Sequence, residues 1–479
     1  MLNIHLIYPE IALGVMALGL MIADLFVAAR HGRALYHLGW IASIVALLLV
    51  GLTISDAAHY QGVGTLWAVD PMSQFFKMLI LLTTVLALLL GLEYKNLPPE
   101  HAGAFNALLL LSSCGMMFLV SAIDMLQVFV SLELISLSSF ILTGYERKNP
   151  KSNEGSIKYF LFGAFSSGVM AYGISLFYGA TGGTKLTGLS QAHAGSPVFL
   201  LSILLILLGF AFKASVAPMH FWVPDAYEGA PTPVTTYLSI APKIATMGAL
   251  LRVFTILLPI SVLQLTSLFA LLAGLTMTIG NFTAFFQTDV KRMLAYSSIA
   301  QAGYIMIGIV TGNQLGQEGV LLYSFIYVAM NVGAFGVAQI VASQAVSEHG
   351  EGSYSLESFN GLAQRSFGMA LAMTFFLLSL SGIPPLAGFM GKLYIFSAAV
   401  QSGHWGLAVV GVINSVVSVY YYMKIAYHMF FKPAADESPL TVGPYLYGGL
   451  AVALAGVLIF GIYPEPLVAS VQASAQYLP

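Results

Sequence analysis

Apolar runs of about 20 residues, separated by short polar segments, recur along the whole chain, and each is long enough to cross a bilayer. They predict spans near 8–29, 35–54, 72–92, 104–121, 124–144, 157–180, 197–217, 231–255, 260–284, 293–311, 318–343, 367–390, 403–430 and 441–463. The expected fold is therefore an all-α polytopic membrane protein of about fourteen transmembrane helices. The longest connections, near 55–71, 181–196 and 344–366, hold too few apolar residues to build a soluble core. The first run, Ile7 to Ala29, has neither a basic start nor a small-residue cleavage site, so it is expected to stay as a span. Two spans are broken by proline. Phe199 to Phe212 leads into Lys213, then Pro218 and Pro224; Ser381-Gly382-Ile383-Pro384-Pro385-Leu386-Ala387-Gly388 precedes Lys392. Irregular backbone at membrane depth is tolerated only inside protein or along a wet cavity.

Charge sharpens this picture. Only 8% of the 479 residues are charged, against about 25% in soluble chains. If the N-terminus is outside, the inner loops hold Arg30, Arg33, Lys95, Arg147, Lys148, Lys151, Lys291, Arg292, Arg365 and Lys432, and the outer loops plainly hold only Lys185. That asymmetry predicts both termini on the outer side. No basic run, Walker-type loop or GxGxxG motif points to nucleic acid or nucleotide. The single cysteine, Cys114, excludes an intramolecular disulfide and cannot alone hold an iron–sulfur cluster or structural zinc; it reads as a packing residue.

Subtracting loop charges leaves Lys77, Glu133, Lys158, Lys213, Lys243, Lys392 and Lys424 with nowhere wet to go, and Glu154, Arg252 and Glu318 near span ends. Lys77 and Lys424 are long enough to snorkel to an interface. Glu133, in the middle of 124–144, is not. His220 lies seven residues after Lys213, roughly two helical turns along one face. Desolvation favours loss of a buried lysine's proton and a nearby carboxylate restores its charge, so such a row suits proton transfer. The expected relay pairs Glu133 with Lys213, passes through His220 to Lys243, and leaves by Lys392. The competing reading is a set of static ion pairs that fix helix packing. A haem at His220 would want a second histidine on another span. Trp67, Trp222 and Trp405 suit interfaces, and Tyr420-Tyr421-Tyr422 reads as packing or interface. Glu154-Gly155-Ser156-Ile157-Lys158-Tyr159 echoes Glu318-Gly319-Val320-Leu321-Leu322-Tyr323 at an offset of 164, and Asp124 and Asp289 stand 165 apart. Five spans separate the two units, an odd number that inverts the second, as in many transporters.

The segment Phe212 to Pro233, FKASVAPMHFWVPDAYEGAPTP, resembles the signature of the antiporter-like subunits of respiratory complex I and of Mrp-type sodium/proton antiporters. Ser131-Leu132-Glu133-Leu134, Asp289 to Ile299 and Ser381 to Phe389 support it. Glu133 to Leu137, Lys158-Tyr159-Phe160, Lys392 and the chain length look most like the subunit N branch. The resemblance implies two inverted five-helix repeats, each with a broken helix. It divides the chain into a three-helix segment (1–103), a first repeat (104–256), a second repeat (257–430) and a C-terminal helix and tail (431–479). It implies that Glu133 and Lys213 are a coupling pair, Lys243 the central lysine with His220 between, and Lys392 the exit-side counterpart in the second half. Lys158 is placed with the relay residues, and Lys291 and Glu154 are further candidates. Larger members carry a long lateral helix after the last span, an arm this chain is expected to lack. The expected function is proton translocation driven by quinone reduction elsewhere in an NADH:quinone oxidoreductase of the bacterial inner membrane. NADH, FMN, iron–sulfur clusters and quinone would belong to other subunits, with no cofactor or metal in this chain. Partners would be other complex I membrane subunits, antiporter-like ones included, and the bilayer. An Mrp-type cation/proton antiporter subunit and a membrane scaffold with frozen ion pairs remain as alternatives.

Overall fold

The computed structural model describes residues 4–476 apart from 55, 58–60, 64–65, 95, 98, 187–188, 190–195, 346–351 and 435–437, and omits the side chains at 27–31, 61–62 and 258–264. Helix α1 (Tyr8–Thr53), together with the short turn Ile4–Ile7 before it, carries two candidate spans, Ile4–Phe26 and Gly32–Thr53. After it come α2 (Pro71–Leu92), α3 (Ala102–Ser121), α4 (Met125–Thr143) and α5 (Pro150–Thr181). A broken pair follows, α6 (Pro197–Ala214) and α7 (Trp222–Gly229). Next, α8 (Thr232–Phe285) carries spans Thr232–Leu257 and Leu265–Phe285. The chain continues through α9 (Val290–Thr311), α10 (Gln314–Gln344) and the short α11 (Leu362–Arg365). A second broken pair, α12 (Phe367–Ser381) and α13 (Ala387–Gln401), leads to α14 (Trp405–Phe431), α15 (Pro444–Ile462) and α16 (Glu465–Ala475). Among the described residues thirteen helices are long and apolar enough to span, and the span expected at 367–390 falls on α12, a shorter apolar helix, and the start of α13. One antiparallel hairpin, β1 (Gln61–Val63) with β2 (Trp67–Val69), lies in the connection before α2.

Polar residues just ahead of the apolar runs start the helices. Asp70 forms a capping box with Ser73 on α2. Asp124, Asn149, Asp289 and Asn313 accept backbone N–H groups at the starts of α4, α5, α9 and α10. Helix α5 thus begins at Pro150, earlier than the predicted 157, and takes Glu154 and Lys158 onto its first turns. Hydropathy misses those turns because they are polar, whereas the Asn-Pro cap marks them. Spans Thr232–Leu257, Val290–Thr311 and Gln314–Gln344 are the most enclosed. Around them α1, α5, α14 and α15 turn Leu25, Phe26, Phe165, Val416 and Ile462 outward, as a chain bathed in lipid can.

The two breaks are built alike. Ser215 (φ 65) ends α6 and Gly382 (φ 86) ends α12, both left-handed. A cis X-Pro bond follows each, Ala217-Pro218 and Pro384-Pro385, and the same 167-residue offset relates both features. By that offset Lys213 and Lys392 are not matched positions. Lys213 precedes its break, whereas Lys392 follows its own.

Candidate functional site

At the first break Lys213 is buried, and its Nζ donates to Ser136 Oγ (3.1 Å) on α4 and Tyr159 Oη (3.0 Å) on α5. The Tyr159 ring stacks on Trp222 at 4.0 Å, and Trp222 Nε1 donates to Phe212 O, so the break holds the lysine's own cradle. The expected contact ion pair with Glu133 is not formed. Glu133 lies one helical turn before Ser136, and its Oε1 accepts a hydrogen bond from Ser167 on α5. Its charge reaches Lys213 only through space. His220 sits buried in the break, packed on Phe221, with its Nδ1 unpartnered among the described residues. No hydrogen bond joins it to Lys213 or Lys243 among them.

Lys243, buried on α8, donates to Ser298 O (2.5 Å) on α9 and faces the Tyr327 ring. Lys392, on α13, reaches back to its break and donates to Ser381 O (2.9 Å) and to Ser415 Oγ (3.1 Å) on α14. Its Nζ stands 4.3 Å from the Tyr304 ring centre. A row of polar side chains, linked partly by hydrogen bonds and partly by ring contacts, runs between these two lysines. Beside Ser298, Ser297 Oγ and Tyr422 Oη share a 2.5 Å bond, and Gln301 donates to Tyr422 while accepting from Tyr323. The Tyr422 ring packs on Tyr421, which donates to Asn281 Oδ1 (3.0 Å). Asn281 Nδ2 donates to Tyr304 Oη (3.2 Å), whose ring lies beneath Lys392. Sequence reasoning missed Asn281, Gln301, Tyr304 and Tyr323, and it set Tyr421 and Tyr422 aside as packing; both are fully buried and hydrogen-bonded. Tyr420, largely exposed beside them, stacks on Phe285.

Lys158 lies elsewhere. It pairs with Glu154 (2.6 Å) and Asp225 (2.7 Å), part-exposed, and Arg292 ties Asp225 (2.7 Å) to Glu228 (2.6 Å), which also holds Lys151 (2.8 Å). Lys291 is buried and donates to Ala230 O (2.6 Å) and Glu228 O (3.2 Å). Beside this cluster is a cavity of about 570 Å³ lined by Glu93, Glu146, Glu228, Asp289, Lys291 and Tyr354, among others. Burial raises the Asp289 carboxyl above its ordinary range; the Arg292 backbone N–H opposes this and the Glu228 charge adds to it.

Two buried ion pairs stand apart from the lysine row. Lys77 Nζ lies 2.6 Å from Glu10 Oε1, and Arg252 grips both Asp70 oxygens at 2.7 and 2.9 Å; all four side chains are fully enclosed. Lys77 therefore does not snorkel: Glu10, on α1, supplies a counter-charge that position in sequence did not reveal. Lys424 donates to Gln287 O and is part-buried. Among the described residues no group of three or more His, Cys, Asp or Glu side chains forms a metal site.

Residues 122–418 match the NADH:quinone oxidoreductase/Mrp antiporter transmembrane family. NADH-quinone oxidoreductase subunit N of Trichlorobacter lovleyi is 38% identical over all of this chain and 98% of its own length. That of Moorella thermoacetica is 40% identical over 98% of this chain and 97% of its own. A chain of respiratory complex I from Thermus thermophilus with bound Aureothin superposes with a TM-score of 0.84 at 32% identity, covering 97% of this chain and 99% of that one. A chain of the Mrp complex from Dietzia sp. DQ12-45-1b reaches 0.88 at 19% identity over 99% and 98%, a likeness of fold alone. With its membrane-spanning helices, enclosed lysines and full-length likeness to these relatives, the chain belongs to the NADH-quinone oxidoreductase subunit N family.

Proposed function

We propose that this chain moves protons through the membrane arm of an NADH:quinone oxidoreductase by changing the protonation of Lys213, Lys243 and Lys392. Redox centres and quinone belong to partner subunits, and the chain sits in the bacterial inner membrane with both termini outward. The observation that carries this reading is the seam between Lys243 and Lys392. It consists of hydroxyls, amides, carbonyls and tyrosine ring faces, with no carboxylate in contact with either lysine among the described residues. A lysine held by dipoles can lose its proton without leaving an anion unpaired. Glu133, one turn before Ser136 on α4, acts on Lys213 through space, and His220 offers a ring nitrogen unpartnered among the described residues. Helices 104–256 and 257–430 then act as two inverted units. The likeness of the breaks supports this, although each unit places its lysine on the opposite side of its break.

The test uses the assembled complex in sealed vesicles. With Lys243→Met, NADH oxidation is expected to continue while proton uptake per NADH falls sharply. Parental proton uptake in that variant would refute the relay.

A further inference from the structure

We propose that protons reach Lys243 from the polar cavity on the Lys/Arg-loop face, along a hydroxyl-bearing face of α8 formed by Thr232, Thr236 and Ser239, with the Thr232–Tyr354 hydrogen bond closing the way in. The proposal rests on Lys243 being a titrating member of the row, and it names the route by which that residue is filled.

Geometry supplies the argument. The cavity brings Glu93, Glu146, Glu228 and Asp289 together at the junction where α7 hands over to α8. Its floor is Ala230, whose carbonyl is held by Lys291, and Tyr354, whose ring lies 4.8 Å from Lys291 Nζ. Two residues beyond Ala230, Thr232 Oγ1 is hydrogen-bonded to Tyr354 Oη. From Thr232, positions 236, 239 and 243 follow in steps of four, three and four that keep to one helix face; Thr235 and Tyr237, polar as well, donate away from this line to Tyr227 O and Leu109 O. All four positions of the line are enclosed, at 0 to 1% exposure. Eleven residues of helix span about 16 Å, enough to carry the line from the cavity floor to the lysine. Val234, Leu238, Ile240 and Ala241, between these positions, are apolar.

Serine and threonine often turn back onto the carbonyl one turn earlier, and these do. Thr236 Oγ1 donates to Thr232 O (2.9 Å) and Ser239 Oγ to Thr236 O (2.8 Å). That habit accounts for each rung but not for the shared face, nor for its ends at a polar cavity and a buried lysine. With its hydrogen engaged, each hydroxyl oxygen still offers lone pairs to water. Tyr327 Oη, donating to Ser239 O at 3.1 Å, flanks the last rung beside Lys243.

Filling is then a balanced transfer. The O–H bond of a protonated cavity carboxyl breaks, water along the ladder passes the proton on, and an N–H bond forms at neutral Lys243 Nζ. The carboxylate left behind takes its next proton from bulk water. Breaking the Thr232–Tyr354 bond admits that water.

The intact complex in sealed vesicles tests this in two ways. Thr236→Val keeps the shape and removes the hydroxyl; proton uptake per NADH should fall while quinone reduction persists, and Thr236→Ser should restore it. In a Cys114→Ala background, Ser239→Cys should react with a membrane-impermeant cationic thiosulfonate applied from the Lys/Arg-loop face. Adding Tyr354→Phe should speed that reaction by about tenfold, the factor that about 1.4 kcal/mol of eased opening produces. Parental proton uptake in Thr236→Val, together with an unreactive Ser239→Cys in both Tyr354 backgrounds while Ala230→Cys reacts, would overturn the route. Lys243→Met separates the two ideas. If it abolishes uptake while Thr236→Val does not, the ladder falls and the relay stands.

Discussion

Buried charge appears in this molecule in two forms. Among α1, α2 and α8, Glu10–Lys77 and Asp70–Arg252 are contact ion pairs with every charge matched. At the breaks and along α8, Lys213, Lys243 and Lys392 are just as enclosed but rest on hydroxyls, ring faces and backbone carbonyls. Removing a proton from Lys77 would strand the Glu10 carboxylate in an apolar surround, which is expensive. Removing one from Lys243 leaves a neutral amine beside Ser298 O and strands no anion. The first arrangement gives each charge an opposite partner, while the second surrounds each ammonium with neutral dipoles and ring faces. Burial alone therefore does not separate the two forms; the kind of partner does.

The sharpest way to break this contrast is to unpair a bolt. Arg252→Met leaves Asp70 charged and enclosed, which should cost about 3–5 kcal/mol and deplete the assembled chain on native gels. The double variant Asp70→Asn/Arg252→Met should recover most of the assembly, because no lone charge remains. If Arg252→Met assembled like the parent, that pair would not be fixing the packing. Lys243→Met should do the opposite: assembly unchanged, with proton uptake per electron reduced at least about tenfold, the effect of roughly 1.4 kcal/mol on a limiting step. An assembly defect equal to that of Arg252→Met would place Lys243 among the bolts.

The contrast was only half legible in the sequence. Lys213, Lys243 and Lys392 stand out because charge inside an apolar run near proline has few inexpensive explanations. The partners do not stand out. Tyr421, Tyr422, Asn281 and Gln301 are ordinary residues for a packed helix, and only their meeting across α8, α9 and α14 makes a seam of them. Glu133 read as the natural mate of Lys213 because opposite charges attract, yet Ser136 and Tyr159 are nearer once α4, α5 and α6 pack. Lys77 read as a snorkelling residue because Glu10, sixty-seven positions earlier, showed no sign of facing it. Span positions followed from hydropathy alone; the start of α5 needed its Asn149 cap.

A smaller effect tests whether the seam is a path or only packing. Tyr422→Phe keeps the ring and removes the hydroxyl shared with Ser297 and Gln301. A lost buried hydrogen bond is worth about 1 kcal/mol, so proton uptake should slow roughly fivefold with quinone reduction and assembly intact. If uptake in sealed vesicles is unchanged, the route from Lys243 to Lys392 does not use this hydroxyl.

Lys158 gives the smallest expected effect and draws the boundary of the row. Sequence placed it with the relay candidates, but its ammonium faces Glu154 and Asp225 in a part-exposed network. Exposed pairs of this kind contribute little, so Lys158→Met should alter proton uptake by no more than about twofold. The residual effect should shrink as salt is raised, because screening already weakens the attraction in the parent. Arg292 still holds Asp225 in the variant, which keeps α7 tied to α9. The measurement is uptake per NADH in vesicles at low and high ionic strength, beside Lys243→Met. A loss as deep as that of Lys243→Met, and insensitive to salt, would move Lys158 into the row and show that a lysine paired with carboxylates can also carry the proton.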